Sequence, residues 1–283
     1  MKQILVPTDF SAPARLAAEV ASRIALRSGA VVILLHVVEL PQEGSFNIEG
    51  ETSFSGGWDD KIFTLKLIEK KKAELAAAVE SVASSGASVR SELRLGNPFH
   101  GITQIINDQQ VDLVVMGTEG HSKLEEMLIG SNTEKVVRQS RCPVLTVHPR
   151  TVSADFKNII YATSLLRDEE TFVQVAAQVQ ALYDATLHIV WINTPVNFQP
   201  DHVAKRAMLD FATRLRIKNY TLNVFSDFSE EEGIIHFAES IDADLIAMAT
   251  HGRRGFAHLL AGSIAEDVVN HTKRPVLTYV TKA

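Results

Sequence analysis

The chain has 283 residues, 46% of them hydrophobic and 22% charged, with a formal net charge of −6. Its length allows two domains of about 140 residues, each burying its own core, and the balanced composition excludes disordered, collagen-like and disulfide-rich classes. The negative charge argues against broad attraction to nucleic acid or an anionic membrane, and the lone cysteine, Cys142, rules out an intrachain disulfide and points to a reducing compartment.

Ile4-Leu5-Val6 opens a strand over 4–8, so the N-terminus reads as lacking a signal peptide. An Ala-rich helix follows from Pro13 to Ser28, then a strand over 31–37. The stretch Pro41–Ile62, rich in Gly, Ser and acidic residues, reads as a long loop. Its Phe46, Phe54 and Trp58 are either a lid, a partner contact or half-buried anchors. A helix over 62–84 carries Lys70-Lys71-Lys72, read as a solvated face. After it come strand 88–95, helix 98–108, strand 111–117, helix 122–139 and strand 143–147. Cys142, beside Pro143, reads as a semi-buried structural thiol. No apolar run approaches the ~20 residues that span a bilayer, and the expected location is cytoplasmic.

The pattern then repeats. Gln3–Asp9 realigns with Asn158–Ser164, and Val31–Val37 with Thr186–Ile192, both at an offset of 155. Met116–Val147 realigns with Met248–Tyr279 at an offset of 132, with 13 of 32 positions identical, which establishes a duplication. The change of offset places a 23-residue surplus in the first half, in the loop at 41–62. Two domains are therefore expected, 1–150 and 155–283, with the boundary near Pro149–Ala154. Short all-apolar strand cores suit parallel sheets covered on both faces. Alternating strands and helices make each unit an α/β, doubly wound domain.

Ligands in such sheets bind beyond the carboxyl ends of the strands. Three segments of the first half end there: Pro7-Thr8-Asp9, His36-Val37-Val38 and Met116-Gly117, the last leading into Gly117-x2-Gly120-x9-Gly130-Ser131. Gly117 and Gly120 permit close backbone approach, and free N–H groups in such a loop and at the next helix start form an anion cradle. The hydroxyls of Ser131 and Thr133 can add to it, and Asp9 suits a ribose hydroxyl or a divalent ion bridging to phosphates. The glycines alone are equally explained by turns, and Ser131 with Glu134 by a capping box.

Taken together, Pro-Thr-Asp-Phe-Ser (7–11), Leu-Leu-His-Val-Val (34–38), Met-Gly-x2-Gly-x9-Gly-Ser (116–131) and Pro-Val-Leu-Thr-Val (143–147) resemble the universal stress protein family, in its ATP-binding branch. The resemblance runs over nearly the whole chain, twice. It implies two tandem five-stranded parallel sheets of order 3-2-1-4-5, Rossmann-like, with ATP, or AMP or ADP, over strands one and four. It places the site on Pro7, Thr8, Asp9, Val37 beside the adenine, Met116, Gly117 and Gly120 beneath the ligand, and Gly130, Ser131, Asn132 and Thr133 at the phosphates. Asn132 departs from the small apolar residue frequent there. Mg²⁺ or Mn²⁺ would arrive with the nucleotide, near Asp9. The resemblance also implies that the last strands, Val144–Val147 and Val276–Val280, pair across a pseudo-twofold axis as a built-in dimer; a further homodimer is left open.

The second half has diverged. Ser164 stands at the Asp9 position, Ala249 at that of Gly117, Trp191 at that of His36 and Ile192 at that of Val37, while Gly252, Gly262 and Ser263 persist. Its weaker candidate site comprises Thr163, Ile192, Gly252, Arg253, Gly262 and Ser263, with Arg253 and Arg254 as compensating phosphate ligands. A structural partner that keeps glycines for its turns is the competing reading. The ten histidines include no metal-type spacing. His36 reads as a framework residue, and His121 and His251 adjoin cradle glycines. Three functions are weighed: a nucleotide-binding regulator responding to stress or energy state; a weak ATPase or self-phosphorylating enzyme using Ser131 or Thr133; and a scaffold or chaperone-like module.

Overall fold

The computed structural model describes residues 1–39, 58–118, 129–149, 154–165, 169–251 and 264–281. The first half runs β1 (Gln3–Pro7), α1 (Ala12–Ser28), β2 (Val31–Val38), α2 (Trp58–Ala83), β3 (Val89–Leu95), α3 (Pro98–Asp108), β4 (Leu113–Gly117), α4 (Ser131–Gln139) and β5 (Val144–Val147). The second repeats it as β6 (Asn158–Ala162), α5 (Glu170–Tyr183), β7 (Thr186–Asn193), α6 (Asp201–Arg214), β8 (Tyr220–Ser226), α7 (Glu230–Ser240), β9 (Leu245–His251), α8 (Ile264–His271) and β10 (Val276–Thr281). Most boundaries fall within one or two residues of the sequence reading, and two helix starts differ by more. α2 starts at Trp58 rather than 62. α4 starts at Ser131; the expected helical stretch before it, 122–128, lies outside the described residues.

The strands form one ten-stranded sheet in the order β3-β2-β1-β4-β5-β10-β9-β6-β7-β8. Each half is parallel with the expected order 3-2-1-4-5, and the halves join through antiparallel β5 and β10, where Leu145 faces Leu277. At this seam the duplicated threonines act reciprocally. Thr146 Oγ1 donates to the Val276 carbonyl at 3.2 Å, and Thr278 Oγ1 to that of Val144 at 3.3 Å. Both hydroxyls are thus satisfied inside a buried interface.

Alternation along the strands divides the core into layers. Ile4, Val6, Val32 and Leu34 face α1 and α2, in a layer continuous with Phe156, Tyr161, Phe172 and Tyr183 of the second half. Leu5, Ile33, Val114 and Met116 face α3 and α4 with Ile102 and Val136. A third layer covers the other face of the second half and includes Ile129 from the first. α1 buries mostly alanines, Ala14, Ala17, Ala18, Ala21 and Ala25, which lets it lie close to the sheet. It is capped by Ser11, whose hydroxyl accepts from the Ala14 N–H, and ends at Gly29, whose φ of 73° is the left-handed stop favoured by glycine.

Candidate functional site

β1 lies between β2 and β4, so the three candidate segments leave the sheet side by side at one edge. Thr8 is held from three directions. Its N–H donates to the Leu35 carbonyl at 2.8 Å, its carbonyl accepts from His36 Nδ1 at 2.7 Å, and its hydroxyl accepts from the Phe10 N–H at 3.1 Å. Asp9 Oδ1 accepts from the Ser11 N–H at 3.0 Å, which fixes the carboxylate beside the start of α1. Phe10 turns through a φ of 67° and sets its ring 4.5 Å from that of His36, with the Lys71 ammonium 5.0 Å from the Phe10 ring centre. Burial holds the His36 imidazole below its ordinary range, against the opposing hydrogen bond to Thr8. A neutral imidazole that gives its Nδ1–H to Thr8 is a framework residue.

The second strand end is set by a glycine that the motif search did not single out. A Cβ on Gly101 of α3 would lie 2.8 Å from Val37 Cγ2, so the missing side chain lets Val37 seat against the helix. The repeat has the same device: a Cβ on Gly233 would lie 2.4 Å from Ile192 Cγ2. These glycines are 132 residues apart, the offset of the later repeat, and that coincidence is the signal in the sequence.

At β4, Met116 is buried, and Gly117 is required by packing. A Cβ there would lie 2.6 Å from Pro13 Cβ and 2.9 Å from the Pro13 carbonyl oxygen. The chain returns at Ile129 and Gly130, where the Gly130 N–H donates to the Thr118 carbonyl at 2.9 Å. Thr133 is buried, and its Oγ1 donates to the Gly117 carbonyl at 3.0 Å, so its hydroxyl braces the site. Gly130 is the N-cap of α4, and among the described residues no side chain caps that end. Ser131 therefore sits one position too late for the capping box with Glu134. The first-turn N–H groups of Ser131, Asn132 and Thr133 have no intrahelical acceptors and carry the partial positive charge of the helix start. Ser131 is exposed and Asn132 half-buried. Gly120 and His121 lie outside the described residues.

In the second half, the loop after the first strand is closed on an internal acid. Glu169 is 1% exposed. Its carboxylate accepts from the Thr163 hydroxyl at 2.7 Å, the Tyr161 hydroxyl at 3.1 Å, the Ser164 N–H at 2.9 Å and the Ser164 hydroxyl. Thr163 and Ser164, at the positions of Thr8 and Asp9, thus bind an internal acid. No sequence signal marks this contact, because Glu169 aligns with Ala14. Gly252, Arg253, Arg254, Gly262, Ser263 and the His251 ring lie outside the described residues, as do Phe46, Phe54 and the Trp58 side chain. Among the described residues no cluster of three or more His, Cys, Asp or Glu side chains gathers, and no helix is long and apolar enough to cross a membrane.

Comparison with known proteins agrees with the duplicated fold. The family described as "Universal stress protein family" matches residues 1–148 and again 155–279. Universal stress protein MJ0577 of Methanocaldococcus jannaschii is 31% identical over 153 residues, covering 52% of this chain and 94% of its own. Universal stress protein Slr1230 of Synechocystis is 26% identical over 294 residues, covering 99% of this chain and 100% of its own. The crystal structure of a universal stress protein from Archaeoglobus fulgidus superposes with a TM-score of 0.76 over 98% of both chains at 19% identity, which shows the shared fold. The chain belongs to the universal stress protein family, as a tandem of two Usp domains.

Proposed function

We propose that the first Usp domain binds ATP or a related adenine nucleotide (AMP or ADP) and that the protein acts as a regulator responsive to stress or energy state. The observation that supports this reading is the start of α4, uncapped among the described residues, on the same sheet edge as Thr8, Asp9 and Val37. Asp9, one carboxylate, suits a metal ion carried in by the nucleotide better than a resident one. Backbone donors bind phosphate without activating water, and the neutral His36 is committed to Thr8, so binding with slow or no turnover is the function supported best. Gly117 gives weaker support than its motif suggested, because Pro13 alone demands a glycine there.

The second domain is proposed as the structural partner. Its first-strand loop offers Thr163 and Ser164 already bonded to Glu169.

Ser131→Glu tests the phosphate assignment. An acid in the first helical turn favours the helix dipole, by about 0.3–1 kcal/mol, so the fold is kept, while its charge repels phosphate. Calorimetric titration should show at least about a tenfold loss of ATP affinity, or ~1.4 kcal/mol, with an unchanged or higher melting temperature. Equal affinity in both proteins contradicts phosphate binding at α4.

A further inference from the structure

The segment that delivers the phosphate end of the site is held by the other domain. Ile129, immediately before Gly130, donates its N–H to Asn270 Oδ1 of α8 at 2.9 Å. Its side chain is 9% exposed and packs in the layer of Ile160, Ile246, Ala265 and Val269, all from the second domain. One residue later, the Gly130 N–H binds Thr118 of its own domain. The start of α4 is therefore placed by two anchors, one on each side of the domain boundary. A third contact ties the body of α4 to α8: Arg138 Nε lies 2.9 Å from a Glu266 carboxylate oxygen.

The repeat shows that these contacts are not one symmetric pair seen twice. Glu134 and Glu266 correspond at the 132-residue offset and are both Glu, whereas Arg138 corresponds to Asn270. In one direction a long cationic side chain reaches a carboxylate. In the other a short amide accepts from main chain at the edge of the candidate phosphate site. Asparagine in place of arginine removes a charge and supplies an acceptor, which is what a buried N–H requires.

Resting on the nucleotide reading of the first domain, we propose that Asn270 of the second domain is a positioning residue for the first domain's phosphate site. Asn270 touches no ligand. It fixes where the Ile129-Gly130 peptide, and with it the first-turn N–H groups of α4, stands relative to Asp9. Coupling is reciprocal, so nucleotide that orders the start of α4 should also order α8. The second domain is then a support through which the affinity of the first is set, beyond its role as a partner in the sheet.

The test uses the full chain and Asn270→Leu, which keeps the side-chain size and removes the acceptor. Asn270→Ala serves in its place if the leucine variant folds poorly. Without nucleotide, amide exchange at Ile129 should lose about tenfold of its protection, as befits a lost single anchor. With ATP, the variant should bind about tenfold more weakly, within the usual range of coupling between sites. Nucleotide should slow exchange in residues 264–271 of the wild type and not in the variant. Unchanged Ile129 exchange in the variant overturns the anchor itself, whatever ATP does. Altered exchange with equal ATP affinity overturns the positioning role. Altered exchange in the variant, with a wild type that binds no adenine nucleotide at all, instead removes the nucleotide reading, and the positioning role falls with it.

Discussion

His36 and His188 show what burial does to single residues here. Both imidazoles are held below the ordinary value of 6.5 by burial, His36 also by the nearby Lys71 cation. The unfolded chain therefore takes up protons at these sites before the native one does. Stability should be full above the ordinary imidazole range and fall as pH drops through 6.5 toward the lower native values. His36→Asn keeps a donor for the Thr8 carbonyl and removes the titration. Urea unfolding at about pH 7 and about pH 5 should show a flatter pH dependence in the variant; an identical slope contradicts the assignment. Tyr183 makes a different case. It is 1% exposed, its hydroxyl has no hydrogen-bond partner among the described residues, and burial pushes its pKa up to about 12, while the Arg27 guanidinium lies 4.6 Å from its ring centre. Tyr183→Phe keeps the ring contacts and removes a buried unsatisfied group. It should leave stability unchanged or raise it by about 1 kcal/mol, read as a shift of the urea midpoint.

At the scale of elements, the site depends on how closely helices approach strand ends. Gly117→Ala would bring a methyl group against the Pro13 main chain, which cannot move without shifting α1. The expected cost is about 1–3 kcal/mol of folding stability, measured by urea denaturation, so weakened ligand binding in that variant would not by itself identify a ligand contact. A stability within experimental error of wild type contradicts the close packing. Most elements could be read in the sequence because strand cores are short apolar runs and helices carry an amphipathic or Ala-rich period. Prolines open α1 and α3, where a fixed φ and a missing N–H suit the first turn. The start of α4 was less legible. Ser131-x-x-Glu134 has the pattern of a capping box, but Gly130, whose carbonyl accepts the first helical bond from the Glu134 N–H, is the cap. Gly101 was passed over because a lone glycine in a helix pattern shows its purpose only when Val37 is placed opposite it.

For the whole molecule, the repeat in the sequence foretold two similar units, and the seam of β5 and β10 joins them into one sheet. What the sequence could not show was how much the halves share. One core layer runs from Ile4 to Tyr183, Arg27 pairs with Asp155 at 2.9 Å, and Ile129 sits in the second domain's core. Such sharing makes independent unfolding costly, so scanning calorimetry should record a single transition for the full chain. Two well-separated transitions contradict a shared core. The two first-strand loops differ through local contacts: Ser164 replaces Asp9, and Glu169, five residues on, takes up the donors of its loop. The central claim, one adenine nucleotide site carried by the first domain, is tested most directly by titrating ATP into the full chain in a calorimeter. The structure leads us to expect one site per chain, weakened by Ser131→Glu. No binding at about millimolar ATP, or two equivalent sites per chain, would contradict it.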